Sequence, residues 1–272
     1  CIPIWAASRL SAAMFKRVPK LSKARVLISN DDGINAPGLK MLERTMRKLA
    51  GEVWVVAPET EQSAAAHSLT LRQPLRIRKV SARRFAINGT PTDSVLLGVN
   101  EVMKDKRPDL VLSGVNRGGN LGEDVTYSGT VAAALEGTLM GLPAVALSQV
   151  TEDGHPTKWS TAEHWLPKIL KGLARVDFQP TVLMNVNFPD VPANKVSGIE
   201  VTRQGRRKIG GDLQHGTDPR GEPYFWVGPQ RVEDRFLKGT DLEAVNRGAV
   251  AITPLSVDMT HRATLKKLKE FF

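Results

Sequence analysis

The run Arg25-Val-Leu-Ile-Ser-Asn-Asp-Asp-Gly33 constrains this chain more than any other stretch. Val26-Leu27-Ile28 is short, apolar and β-branched at two of its three positions, the pattern of a buried strand. Asn30-Asp31-Asp32-Gly33 ends it, because these residue types resist strand geometry and favour a turn. Successive side chains on a strand point to opposite faces, so Asp31 and Asp32 converge only where the backbone leaves the strand. Gly33, free to take positive φ, makes that departure easy. Neighbouring carboxylates repel each other unless a cation or a shared proton lies between them. In an open α/β sheet, ligands gather at the carboxyl ends of the strands. The stretch therefore points to a divalent-metal site, with an acidic surface turn closing a βα unit as the plainer alternative.

A chain of 272 residues has room for one large α/β domain with appendages, or for two modest ones. Its single cysteine, Cys1, excludes an internal disulfide framework and a multi-cysteine zinc site, and suits a reducing, cytoplasmic setting. No apolar run approaches the about 20 residues that span a bilayer, so no membrane partner is expected. The formal charge is +10, of which Arg9, Lys16, Arg17, Lys20 and Lys23 supply half within an acid-free opening stretch. What remains is moderate and spread out, without clustered Lys/Arg and interleaved aromatics, which argues against a stable nucleic-acid partner. Residues 1–23 are expected to lie outside the fold, as a remnant of upstream sequence rather than a targeting segment. Residues 24–272 are expected to form a single domain.

In order, Leu39, Leu42, Met46 and Leu49 share one face of a helix that Gly51 ends. Val53 to Val56 is a second buried strand, which makes a right-handed βαβ unit and a parallel pair. Leu69 to Val80 alternates by two and reads as an antiparallel excursion with Arg84 to Ile87, giving an inserted β-hairpin. Thr90 is placed to cap a helix with Pro91 at its first position and Asp93 in its first turn. Asp109 to Ser113 is a third buried strand that runs into the glycine-rich loop 114–122. Tyr127-Ser-Gly-Thr130 opens a helix reaching Met140, and Ala144 to Leu147, a helix over 161–173, and Thr181 to Val186 follow. This order predicts a Rossmann-like, doubly wound, mostly parallel sheet. From Val196 the texture changes: residues 196–235 read as a protruding C-terminal β-hairpin arm, and 240–272 as helix, strand, helix.

The strand ends carry the chemistry. Asp31 and Asp32, Ser63 in the loop after the second strand, and Asn116 after the third would meet on one rim. Two carboxylates, a hydroxyl and a carboxamide form an all-oxygen set that suits one hard cation, Mg²⁺, Mn²⁺ or Ca²⁺. Ser63 as a loop-capping serine and Asn116 as a turn residue remain open. Ser128-Gly129-Thr130 at a helix start offers N–H groups, a helix dipole and two hydroxyls to an anion, or simple capping by Ser128. A metal rim facing an anion site is what phosphate-ester hydrolysis requires. The glycines of the loop fit neither G-x-G-x-x-G nor a P-loop. His67 is a candidate general acid or a solvated loop residue, and His155, His164, His215 and His261 show no metal-binding spacing. Direct attack by Asp31 or Asp32 on phosphorus is disfavoured by the missing D-x-D-x-T spacing. A non-catalytic metal-dependent nucleotide or polyanion binding module is the alternative to an enzyme.

RVLISNDDGINAPGL, VWVVAPETEQS, SLTLRQPL, NGTPTDSVLLGVN, PDLVLSGVNRGGNLGEDVTYSGTVAAALEG and TDLEAVNRGAVAITPLSVD resemble, in order and over Arg25 to about Asp258, the survival protein E (SurE) family of 5'/3'-nucleotidases. The resemblance implies a metal-dependent phosphatase of nucleoside monophosphates. It also implies an arm that swaps between subunits of a homodimer or homotetramer. Its metal ligands fall on Asp31, Asp32, Ser63 and Asn116, with Asp31 and Asp32 as catalytic residues. Its phosphate contacts fall on Asn120, Ser128, Gly129 and Thr130. Both 5' and 3' esters are expected substrates, with short polyphosphate as a side substrate. One departure stands out: Ala64 occupies a place where the family commonly has Gly, which matters if that position needs positive φ.

Overall fold

The computed structural model describes residues 16–152, 154–209, 213–227 and 231–272. Its strands and helices begin with β1 (Lys16–Arg17), β2 (Arg25–Ser29), α1 (Pro37–Arg47), β3 (Glu52–Pro58), β4 (Ile77–Ser81) and β5 (Arg84–Ile87). Next come α2 (Pro91–Leu97), β6 (Leu110–Arg117), α3 (Gly129–Leu139), β7 (Ala144–Gln149), α4 (Trp159–Leu173), β8 (Asp177–Phe178) and β9 (Val182–Phe188). β10 (Ile199–Val201), β11 (Arg207–Ile209), β12 (Leu213–Thr217), β13 (Pro223–Val227), β14 (Arg231–Glu233), α5 (Asp241–Asn246), β15 (Val250–Ser256) and α6 (Arg262–Leu268) complete the order.

The main sheet runs β10-β15-β9-β7-β6-β2-β3-β5-β4. From β9 to β5 every pairing is parallel, while β4 and β15 pair antiparallel with their inner neighbours. The two faces are covered differently. Val26 and Ile28 pack with Leu39, Leu42 and Met46 of α1 and with Leu166 and Ile169 of α4. Leu27 packs on the opposite face, with Val95 of α2 and Val131 and Ala133 of α3. Burial on both faces is why these strands read as continuous apolar runs. β2 lies between β3, reached through α1, and β6, reached after α2 crosses back. The strand order thus reverses between β2 and β6, and a crevice opens at their carboxyl ends.

The expected cap of α2 is present in full. Thr90 accepts from the Asp93 N–H at 3.1 Å, and Asp93 reaches back to the Thr90 N–H at 2.9 Å. The helix continues past Leu97 as one π-helical turn, Gly98–Val102.

Three expectations are corrected. The described part of the opening stretch is not outside the fold: β1 pairs antiparallel with β8, and Val18 and Leu21 are buried in the core beside α1 and α4. Residues 1–15 lie outside the described residues. Of the alternating run Leu69 to Val80, only Ile77–Ser81 forms a strand. Leu69 and Leu71 stay exposed, so no core face selects that register, and Thr70 is tied instead to Asp93 through its N–H and hydroxyl. The stretch 196–235 is divided. Ile199–Val201 joins the main sheet parallel to β15, and among the described residues hairpin pairing is confined to β11 with β14 and β12 with β13. No described helix is long and apolar enough to cross a membrane.

Candidate active site

The turn after β2 forms as its residue types require. The Asn30 amide donates to the Gly33 carbonyl at 3.1 Å, and Gly33 takes φ 93°. Asp31 then points at the start of α3, where the Thr130 hydroxyl and N–H both donate to its carboxylate. This approach depends on Gly129: a Cβ there would lie 2.7 Å from the Asp31 Cβ. Asp32 points toward the end of β6 and accepts from the Arg117 N–H at 3.3 Å. The ladder between β6 and β7 shifts register between Ser113 and Asn116, so β6 bends where it meets Asp32.

Both carboxyls are held above the ordinary carboxylate range. Burial pushes Asp31 up, against the hydrogen bonds from Thr130. Burial, and then the charge of Asp31, push Asp32 up to about 7. Glu61 adds a third negative charge that raises both. Neither aspartate has a Lys or Arg ion pair among the described residues, and the charge of Arg117 lowers Asp32 by less than burial and Asp31 raise it, so the pair still favours an added cation. Its donors are oxygens, the ligand type of a hard divalent ion, and the residues fit such a group.

The other expected ligands lie around this pair. The Asn116 amide donates to the Gly118 carbonyl at 3.0 Å, which leaves its Oδ1 as an acceptor. Ser63 rides on a loop fastened to Asp31 through the Gln62 N–H at 2.8 Å, but its hydroxyl donates to Glu61 at 2.7 Å. The structure thus brings Asp31, Gly129 and Thr130 into contact, and gives Ser63 to Glu61 rather than to either aspartate. Ser128 caps α3, accepting from the Val131 N–H at 3.0 Å, which leaves its hydroxyl proton to be donated outward. His67 meets Glu136 of α3 at 3.0 Å.

Asn120 sits over a buried carboxamide cluster that sequence reading missed. Asn187 accepts from its N–H at 2.9 Å, Asn185 and Asn187 donate to its carbonyl at 2.8 and 3.0 Å, and its own amide donates to Ser148 at 2.7 Å. The signal was available: Asn185 and Asn187 alternate on one face at the carboxyl end of a buried strand, where a polar residue needs a partner. Asp241 fixes the far end of the same loop, accepting from Gly122 at 3.0 Å and from Gly205 below the arm at 2.8 Å. His155, which has no metal-binding spacing in sequence, is brought within 4.8 Å of Glu152 and Asp190. Lys158 stands 2.7 Å from Asp190 and answers that charge from within.

Comparison with known proteins bears on this geometry. The family model described as survival protein SurE matches residues 26–211. A protein of Paramagnetospirillum magneticum named 5'-nucleotidase SurE is 64% identical, the alignment covering 95% of this chain and 99% of that protein. One of the same name from Rhodospirillum rubrum is 54% identical over 95% of this chain and 100% of its own length. The crystal structure of a SurE protein from Aquifex aeolicus superposes with a TM-score of 0.78 at 36% identity, covering 91% of this chain and 99% of that one.

Proposed function

This chain belongs to the survival protein SurE family and is a 5'-nucleotidase, and on that premise we propose that it hydrolyses nucleoside monophosphates with one divalent cation held by Asp31, Asp32, Ser63 and Asn116. The observation that carries the reading is the adjacent pair Asp31 and Asp32, buried and partly buried at the switch-point crevice, with both carboxyl pKa values raised and no Lys or Arg ion pair to either among the described residues. A bound Mg²⁺, Mn²⁺ or Ca²⁺ supplies neutralisation of phosphoryl charge and activation of the attacking water.

The chain's own groups do the rest. Asp31 is fixed by Thr130, and Asp32 by the Arg117 N–H, so both carboxylates face the crevice without a search over rotamers. Thr130, matched by the resemblance to a phosphate contact, is committed to Asp31. In this reading its part in phosphate binding is to hold that carboxylate. The Ser128 hydroxyl and the Gly129 N–H remain to take phosphoryl oxygens at the positive end of α3. Asn120 adds a contact from a loop whose backbone is locked by Asn185 and Asn187. No triphosphate cradle precedes a helix, so monophosphates are preferred over di- and triphosphates. The family resemblance supports 3' esters as secondary substrates, and the modest basic excess of the chain supports short polyphosphate as a side substrate.

Phosphate release from AMP, 3'-AMP, ATP and glucose 6-phosphate, under one Mn²⁺ condition and again with chelator, tests the reading. Activity that survives the chelator defeats the metal assignment. Faster release from ATP or glucose 6-phosphate than from either monophosphate defeats the substrate assignment. We also propose that the arm seats on a second copy, because Tyr224, Phe225, Trp226 and Val227 of β13 are all exposed. A chain lacking residues 207–233 that keeps the full-length oligomer in sedimentation refutes it.

A further inference from the structure

We infer that Tyr127 is the platform on which the nucleobase stacks, and that Lys208 of β11 holds its ring in place; this rests on the nucleotidase reading and extends it to the organic half of the substrate. Tyr127 directly precedes Ser128, the cap of the helix whose start takes the phosphoryl group, and about 3.8 Å of backbone separates them. A nucleoside monophosphate carries its base one ribose away from its phosphate. A side chain rooted one residue before the anion site has the matching span.

Tyr127 is 42% exposed, although its neighbours Ser128 and Thr130 are buried. Its backbone is fixed from both sides: its N–H donates to the Asp124 carbonyl at 3.0 Å, and its carbonyl accepts from the Ala66 N–H at 3.2 Å. The ring is fixed as well. The Lys208 ammonium lies 4.9 Å from the ring centre and donates to the phenol oxygen at 2.8 Å. These two distances put the ammonium at the hydroxyl end of the ring, where it anchors the ring and leaves the exposed surface to a partner. An exposed, doubly anchored aromatic beside a phosphate site is the chemistry that recognises a base through its π-face, tolerant of which base it is. Lys208 belongs to the base of the arm, so the platform is completed by that element.

The test compares wild type, Tyr127→Leu and Tyr127→Phe, with full steady-state kinetics on AMP and on ribose 5-phosphate, which has the phosphate and sugar without the base. Adenosine serves as a competitive inhibitor in the same assays. Tyr127→Leu is expected to raise KM for AMP and Ki for adenosine about tenfold with kcat unchanged. It should leave kcat/KM for ribose 5-phosphate within about twofold, and Tyr127→Phe should leave AMP within about twofold as well. Equal losses on AMP and ribose 5-phosphate in Tyr127→Leu would overturn the inference, as would a Phe variant that loses as much on AMP as the Leu variant. Wild-type protein that turns over ribose 5-phosphate and not AMP would overturn the nucleotidase reading itself, and the platform with it.

Discussion

After β2 the chain turns on Gly33, at φ 93°, whereas after β3 it turns through Ala64 and Ala66, at φ 60° and 51°. A Cβ at position 33 would also lie 3.0 Å from the Thr60 carbonyl carbon, so glycine answers both the dihedral and the close approach. The turn that presents Asp31 and Asp32 is therefore free of strain. In the second loop each alanine holds its Cβ in the left-handed region, at roughly 1–2 kcal/mol per residue. That loop persists because it is stapled: Gln62 to the Asp31 carbonyl, Ala66 to the Tyr127 carbonyl, and His67 to Glu136. The two regions meet at one site with opposite mechanical character. The aspartates are preset, while Ser63 rides on a strained strap whose local stability is lower and whose hydroxyl is at present given to Glu61.

The comparison breaks most visibly at the aspartates. Asp31→Asn or Asp32→Asn is expected to lower kcat on the order of 10²- to 10³-fold and to weaken calorimetric metal binding, without loss of the folded state. Gly129→Ala should act in the same direction, by driving the Asp31 carboxyl from the helix start. Near-wild-type turnover in either aspartate variant would remove the pair from the mechanism.

Backbone strain gives effects of opposite sign. Gly33→Ala should destabilise by about 1–2 kcal/mol and lower Tm by about 4 °C in a chain of this size. Ala64→Gly should relieve strain and raise Tm by about 2 °C. A lowered Tm for Ala64→Gly would show that the strap is not strained at that residue.

The pH dependence of the chelated protein reports the aspartates directly. Asp32 has its carboxyl raised from 3.8 to about 7 in the fold, so the native state holds a proton that the unfolded chain has lost across that window. Its contribution to stability is complete below about pH 4 and is lost as pH rises through about 7. Tm of the chelated protein should therefore fall between pH 4 and 8 (both ~) more steeply than Tm of Asp32→Asn. Added metal replaces the proton and should flatten the slope, with affinity rising toward neutral pH. Identical slopes in wild type and variant would place the titration elsewhere.

The smallest effect belongs to the strap. Glu61→Gln removes a negative charge felt by both aspartates while keeping an oxygen to accept from Ser63, and metal affinity should drop roughly threefold. A drop as large as that of Asp31→Asn would promote Glu61 from neighbour to ligand.

Much of this was legible because it is local. The strand Arg25–Ser29, its turn, the Thr90 capping box and the helix start at Ser128 follow from residue types and short spacings. The burial of Val18 and Leu21 was not legible, since so short a segment shows no period and its partners α1 and α4 are remote in sequence. The support of Asn120 by Asn185 and Asn187 spans 65 and 67 residues, beyond any local pattern. Glu61 went unnoticed because nothing in its neighbourhood announces that the loop folds back on Asp31.

By itself the sequence determined which side chains could do chemistry and where the chain must turn: paired carboxylates after a buried strand, a glycine to release the backbone, hydroxyls at a helix start. These are consequences of dihedral freedom and of hydrogen-bonding inventory within a few residues, and no partner is needed to state them. Only the tertiary structure decided what each group is occupied with. Packing α3 against β2 gave Thr130 to Asp31. Register between β6 and β2 gave the Arg117 N–H to Asp32, and closure of the β3 loop gave Ser63 to Glu61; burial above all, with the charge of Glu61 added, made both aspartates weaker acids. Desolvation and charge–charge repulsion depend on distance through space, and distance through space is what folding sets.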